Sequence, residues 1–289
     1  MNLISFFRSK HLRPEWTYTV KGVVWRVLFT TRGRIVGECR DQEKKIASFF
    51  CIDEELGKPL WEDVKLDEPW WVGLEAVQED AVLLHSYPKP DMPEHKGIRA
   101  YDLGTGLLRW RNDDLTYWFG SGDRVIAYRD FFERRVGYEI DLQTGELQKM
   151  HDDSLQELHA LRQEAWESQI QAKVVLPDIL DVANTEPLTQ SLVDKGIRGR
   201  SVVGNIEFIN EHGYFLFNCH LPAKNSTEQL RKYENHFFVY RLPEGERLFS
   251  EVVGRNLKGY VPETFFVKRP RAFFIKDERT LMALRLWKS

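Results

Sequence analysis

Short apolar runs alternate with polar positions along most of the chain, and turns carrying glycine and aspartate separate them. Alternation with a period of two over about four to eight residues is the pattern of half-buried strands. Four such runs make a first unit at 23–31, 34–40, 45–52 and 59–63, and a second at 72–78, 81–87, 97–103 and 107–111. A third unit reads 117–121, 124–129, 135–142 and 146–150; a fourth reads 205–210, 214–220, 236–242 and 246–252. The fifth supplies only three runs, 263–267, 271–276 and 280–286. A candidate for its fourth lies at the other end, in Pro14-Glu-Trp16-Thr-Tyr-Thr-Val20.

The units repeat one local pattern. Phe50-Cys-Ile-Asp53-Glu-Glu-Leu-Gly57-Lys-Pro-Leu-Trp61 matches Ala100-Tyr-Asp102-Leu-Gly-Thr-Gly106-Leu-Leu-Arg-Trp110 and Tyr138-Glu-Ile-Asp141-Leu-Gln-Thr-Gly145-Glu-Leu-Gln148. A degenerate copy is Val239-Tyr-Arg241-Leu-Pro-Glu-Gly245-Glu-Arg-Leu-Phe249. In each of the first three copies an apolar strand runs into an Asp able to accept from backbone N–H groups just ahead of it. A Gly then takes the left-handed conformation and a second strand begins. These aspartates are turn-formers before they are catalytic carboxylates. Four-stranded units in series predict an all-β fold, a β-propeller of about five blades. The N-terminal strand is expected to pair with the C-terminal one and close the ring, with Trp16 in the outer-strand place of Trp61 and Trp110. One domain then spans 1–289, with a helical insertion at 151–200 between blades three and four.

The insertion has its own signals. Ser154-Leu-Gln-Glu157 is a capping box, and Leu155, Leu158, Leu161, Ala165, Trp166 and Ile170 follow at helical spacing. A second helix is predicted from Pro187 to Lys195, stopped by Gly196. The pair reads as a strap over the channel mouth, or as a lid or partner-binding helix.

The stretch Tyr101–Trp110 resembles the blade motif of quinoprotein-like propellers. The likeness covers the hairpins only: there are too few blades, no adjacent cysteine pair and no calcium cluster for a quinone site, so no cofactor is expected. Across most of its length the chain resembles an uncharacterised bacterial family of propeller-like proteins, through Gly259–Lys268 and Phe274–Leu281. That resemblance implies no activity.

Composition narrows the function classes. Hydrophobic residues make up 42% and aromatics 13%, enough for a large strand-built core. A net charge of −3 argues against a bulk nucleic-acid surface. Cys39, Cys51 and Cys219 show no CxxC spacing and read as buried thiols. The eight histidines show no HExxH or other metal-ligand spacing, and Gly120-Ser-Gly122 lacks the lysine and helix of a phosphate loop. No stretch reaches the ~20 apolar residues of a membrane helix. The N-terminal Leu3, Ile4, Phe6 and Phe7 are too interrupted for a signal peptide, although a short membrane-touching anchor is an alternative. The expected location is cytoplasmic.

In a four-stranded blade the turns between first and second and between third and fourth strands share one side, and here they are short. The other side carries 87–96, 221–235 and the insertion, so function is expected there. Inner strands present Arg26, Glu75, Glu207 and Glu263. Trp25, Trp70, Trp71, Tyr117, Trp118 and Tyr260 lie at or before inner strands and suit a ligand-binding rim, with blade packing as the plain alternative. Two functions follow. One is a non-catalytic scaffold binding a protein or small molecule through Arg26, Trp70, Trp71, Tyr117, Trp118 and Tyr260. The other is a carbohydrate-acting hydrolase in which Glu75, Glu207 and Glu263 converge.

Overall fold

The computed structural model describes residues 11–89, 92–152, 155–169, 174–224, 226 and 231–287. Ser154, Ile170, the side chain of Trp166 and the N-terminal Leu3, Ile4, Phe6 and Phe7 lie outside the described residues. The chain is mostly strand and divides into two compact units, Val20–Lys173 and Met1–Thr19 with Val174–Ser289. The first strand, β1 (Pro14–Thr19), belongs to the latter.

The unit from Val20 holds three four-stranded antiparallel meanders. They are β2 (Val23–Phe29) to β5 (Pro59–Val64), with β3 (Arg34–Asp41) and β4 (Ile46–Asp53) between; β6 (Val72–Gln78), β7 (Ala81–Ser86), β8 (Lys96–Asp102) and β9 (Leu108–Asn112); and β10 (Thr116–Ser121), β11 (Arg124–Asp130), β12 (Arg135–Asp141) and β13 (Leu147–His151). The predicted runs match these strands to within one or two residues at nearly every end. Successive side chains point to opposite faces, and the central strands carry unbroken buried apolar runs such as 49–52 and 81–84, so these sheets are apolar on both faces and each must be covered twice. Val36, Phe49 and Cys51 of the first sheet pack against Leu74, Val82 and Leu84 of the second. Leu83 and Ala100 on the second sheet's other face meet Val125, Ala127 and Ile140 of the third.

The repeated hairpin explains how neighbouring sheets are joined. Asp53, Asp102 and Asp141 each accept backbone N–H groups two or three residues ahead through Oδ1. The glycine then donates its own N–H to the aspartate carbonyl. Trp61 in β5 crosses to the next sheet and donates its indole N–H to the Leu103 carbonyl at 2.8 Å. Trp110 in β9 does the same to Leu142, also at 2.8 Å. Each indole lies flat over the glycine of the neighbouring hairpin: a Cβ at Gly106 would come within 2.7 Å of Trp61, and one at Gly145 within 2.7 Å of Trp110. Glycine is therefore required twice over, for its positive φ and for the absence of a side chain under the indole.

The other unit holds two sheets. One is β15 (Val203–Glu211), β16 (Tyr214–Pro222), β17 (Tyr233–Arg241) and β18 (Glu246–Leu257), joined at its β15 edge by a short β14 (Asp178–Ile179). The other is β19 (Phe265–Lys268), β20 (Arg271–Lys276) and β21 (Thr280–Arg285), completed by β1. The expected pairing of the two chain ends is present, with Trp16 opposite Ala283 and Thr19 opposite Thr280. Leu216, Phe237 and Val239 of the first sheet pack against Phe265, Phe274 and Met282 of the second.

The insertion departs from the expected strap. Helix α1 (Gln156–Gln169) lies on the face of the third sheet turned away from the second, with Leu158 and Ala165 against Phe119 and Ile126. Helix α2 (Pro187–Ile197) covers the face of the β15–β18 sheet turned away from β19–β21, with Leu192 and Val193 against Phe215, Phe217 and Tyr240. Between the helices the chain is extended. Val175 bridges to Val267, and β14 pairs with Phe208 and Glu207, so this segment covers the free edges of both sheets. The insertion is thus part strand, and its helices cover sheet faces. Gly196 does not stop α2 but lies within it, where a Cβ would come within 2.7 Å of the Phe217 ring. The helix ends at Arg198, whose left-handed backbone donates to the Asp194 carbonyl.

Trp110→Phe keeps an aromatic ring but deletes the donor and part of the buried indole, and is expected to lower the unfolding free energy by about 1–2 kcal/mol. Gly145→Ala, at φ 75° and under the indole, is expected to cost more, about 1–3 kcal/mol. Urea denaturation of both variants checks this, and a neutral Gly145→Ala would contradict the latch.

Candidate functional site

Glu75 is the extra residue of a bulge between Leu74 and Ala76 in β6, and bulges redirect a side chain out of the ladder's alternation. Its Oε2 lies 2.8 Å from Nδ1 of His85 in β7 and 2.7 Å from Nδ1 of His95, in the loop before β8. The two imidazoles stack with centroids 3.5 Å apart and planes within 9°. Tyr87 meets both edge-on. Burial alone would push the Glu75 carboxyl up, but the contacts from His85 and His95 outweigh it and hold the group at about 2. Burial pushes His85 below the usual histidine range despite Glu75. Nearby, Glu38 pairs with Arg40 at 2.5 Å and accepts the Leu74 N–H, while Arg26 donates to the Leu74 carbonyl.

Glu207 and Glu263 belong to the other unit. Glu207 accepts the Tyr260 hydroxyl at 2.6 Å and the backbone N–H of Glu263 at 3.0 Å. Tyr260 also lies edge-on to His220, whose Nε2 accepts the Val261 N–H. Burial and the adjacent Glu207 push the Tyr260 phenol above its ordinary range, so it remains a donor. Glu207 is a fully engaged acceptor that holds the segment before β19, and it is the backbone of Glu263 that approaches it.

The aromatic residues have separate duties. Arg40 lies over the rings of Trp25 and Trp70, 5.2 and 4.9 Å from their centroids, and Lys45 also faces Trp70. The backbone N–H groups of Trp70 and Trp71 are both accepted by Glu68 in a turn. Tyr117 packs at the edge of the core between the second and third sheets. Trp118 is packed by His159 of α1, Phe119 and Tyr128, with Arg135 and Arg162 over its ring. For Trp118 and Tyr117 the packing alternative describes what they touch. The three cysteines are free and buried, and burial pushes Cys51 and Cys219 up to about 12, which removes them as nucleophiles.

A different set of residues forms a cavity of about 210 Å³ between the end of α2 and the strands β17 and β18. Arg198 and Arg200 reach it from the α2 terminus, Arg247 from β18, and His236 with Phe238 from β17; Ser250 and Glu251 complete the polar wall. Among the described residues, none of these three arginines has a carboxylate within ion-pair distance. Glu251 is paired with Lys276 at 3.0 Å and His236 with Glu234 at 3.2 Å, so the cavity's acidic group is already neutralised. Burial, then Arg200, push His236 below its usual range. The sequence does not reveal this site because Arg247 lies far from Arg198 and Arg200 in the chain, and only the docking of α2 on the sheet brings it to them. Two arginines near the end of the chain lie elsewhere and are paired: Arg269 with Glu211, and Arg271 with Glu15.

A family described as Domain of unknown function (DUF4905) matches residues 30–110. No curated protein matches the chain in sequence. Among solved structures, the chain is similar to quinohemoprotein alcohol dehydrogenase ADHIIG from Pseudomonas putida HK5 at 10% identity and a TM-score of 0.31, covering 84% of this chain and 44% of that one. It is similar to the β-propeller domain of the Trilobed protease from Pyrococcus furiosus at 7% identity and a TM-score of 0.32, covering 87% and 78%. It is also similar to Kuenenia stuttgartiensis hydrazine synthase at 11% identity and a TM-score of 0.24, covering 82% and 60%. Among the described residues no helix is long and apolar enough to cross a membrane.

The Glu75 cluster makes stability acid-sensitive with a definite sign. Glu75 is held below its ordinary 4.5, so its contribution is complete above that value and is lost as pH falls toward about 2. His85 is also held down, so the unfolded chain takes up its proton first and stability falls as pH drops through about 6.5. Melting temperature is therefore expected to fall steadily from neutral pH into acid. In Glu75→Gln the part of the loss below about pH 4.5 should shrink. Thermal melts across that range measure both.

Proposed function

We propose that this chain is a binding module that takes a small anionic ligand, one bearing a phosphate or carboxylate group, in the cavity between α2 and the β17–β18 strands. The observation that carries the reading is the convergence of Arg198, Arg200 and Arg247 on one cavity without a carboxylate partner among the described residues. Three guanidinium groups in one place repel one another, and an oxyanion accepting their paired N–H donors relieves that repulsion. A volume near 210 Å³ suits a small ligand, and Phe238 and Val252 offer it an apolar wall. The site is built by the insertion on a rigid sheet, which agrees with function residing on the variable segments.

In this reading each four-stranded sheet is a propeller blade, the last one completed by the β1–β21 pairing. The sheet-to-sheet latches of Trp61 and Trp110 support it. The carbohydrate-hydrolase alternative has less support, because Glu75 is held ionised by two histidines and Glu207 is occupied by Tyr260. Neither is placed as a general acid.

At constant ionic strength, inorganic phosphate and citrate are expected to raise the melting temperature where sodium chloride does not. Arg200→Gln and Arg247→Gln should each weaken binding about tenfold or more, the scale of a lost charge-assisted hydrogen bond. No anion-specific shift, or a shift unchanged in the double variant, would refute the proposal.

A further inference from the structure

The inner strands of the first three sheets share a feature that singles out Glu75. Each carries a bulge at the same place, with the extra residue being Trp25 in β2, Glu75 in β6 and Trp118 in β10. In each sheet that residue meets a side chain two rungs along the neighbouring strand. In the first sheet Arg40, opposite Val23, lies over Trp25. In the third, Tyr128, opposite Thr116, packs edge-on to Trp118. In the second, His85, opposite Gly73, reaches Glu75. A position that elsewhere holds an indole packing pair has become a carboxylate–imidazole pair, and a second imidazole, His95, is added from the loop.

From this geometry we infer that Glu75, His85 and His95 form a binding site for a divalent transition-metal ion of the zinc class. One ligand atom from each of the three residues lies within 4.8 Å of the other two, and the carboxylate oxygen is 2.8 and 2.7 Å from the two Nδ1 atoms. His85 is 2% exposed, yet neither of its ring nitrogens has a hydrogen bond of proper geometry. A buried imidazole so placed is short of a partner, and an ion between the three donors supplies one. Two imidazoles and a carboxylate are donors for zinc, cobalt, nickel or copper and not for calcium or magnesium, which prefer oxygen alone. Three protein ligands leave a coordination position free.

Admitting an ion takes a small change in distance and a larger one in angle, because the in-plane lone pairs of two stacked rings within 9° of parallel do not meet at one point, and His95, on its loop, must turn out of the stack. Donors around a tetrahedral ion at about 2.0 Å stand roughly 3.3 Å apart. The carboxylate oxygen therefore recedes from each Nδ1 by about half an ångström while the stacked rings splay to aim at one point. His95 is half-exposed and gives access from solvent, while its carbonyl accepts the Thr116 hydroxyl and ties the loop to β10. The Nε2 edge of His85 sits against Gly73, where a Cβ would come within 2.7 Å, so the second sheet makes room for this ring. The charged neighbours are Arg40, paired with Glu38, and Arg26, held by the Leu74 carbonyl. The site is independent of the arginine cavity.

The test is calorimetric titration of chelator-treated full-length chain with zinc at pH 7.5, repeated with cobalt and read by its visible absorption. One equivalent is expected to bind with micromolar or tighter affinity, with at least a tenfold loss in His95→Ala and in Glu75→Gln. His95 is on a loop, and an unchanged circular dichroism spectrum separates loss of the ligand from loss of the fold. Absence of saturable uptake of either ion, or uptake that survives both substitutions in a folded variant, overturns the assignment.

Discussion

Everything in this structure follows from a sheet that is apolar on both faces and cannot stand alone. Val36 and Leu74, or Leu216 and Phe274, are buried only because a second sheet lies against the first. The indole latch turns that general need into a fixed geometry. Trp61 and Trp110 each reach from the last strand of one sheet to a glycine and a leucine carbonyl in the third-to-fourth-strand hairpin of the next. Contact area drives the packing, while the latch sets its register, because the indole N–H finds an acceptor at only one position.

Where the series of sheets is interrupted, the insertion answers the same need in another way. The outer face of the third sheet and the corresponding face of the β15–β18 sheet are both rich in apolar side chains. Each is covered by a helix from the segment between them, α1 on one and α2 on the other. The extended stretch between the helices then pairs with strand edges that would otherwise display free backbone groups. Placing α2 on its sheet leaves its C-terminal arginines over β17 and β18. The candidate anion cavity is thus a consequence of how a bare sheet face is covered.

The polar chemistry of the first three sheets has a similar origin. A bulge in an inner strand takes one residue out of the alternating pattern and leaves it to find a partner on the neighbouring strand. With tryptophan in that place the result is packing, as for Trp25 and Trp118. With glutamate beside histidine it is a half-buried, ionised carboxylate facing two imidazoles. The same backbone device supports a structural contact in two sheets and a ligand-like constellation in the third.

Strand positions, hairpins and both helices were legible in the sequence, since each depends on local periodicity or on turn chemistry carried by neighbouring residues such as Asp102 and Gly106, and the pairing of β1 with β21 was legible because the last unit lacks a strand that the first residues can supply. The carboxylates Glu75 and Glu207 stood out as polar residues on inner strands, as did Tyr260 and Glu263 that meet Glu207, but the partners of Glu75 did not. His85 and His95 lie ten and twenty residues beyond Glu75, and no spacing rule joins residues brought together by a bulge, a cross-strand rung and a loop. Gly196 read as a helix stop because glycine usually is one, and only the approach of Phe217 shows why it sits inside α2. The arginine cavity was decided by tertiary structure alone. Side chains distant in the chain converge only after a helix docks on a sheet, and the docking depends on which apolar face is left uncovered, a property of the whole fold and of no single segment.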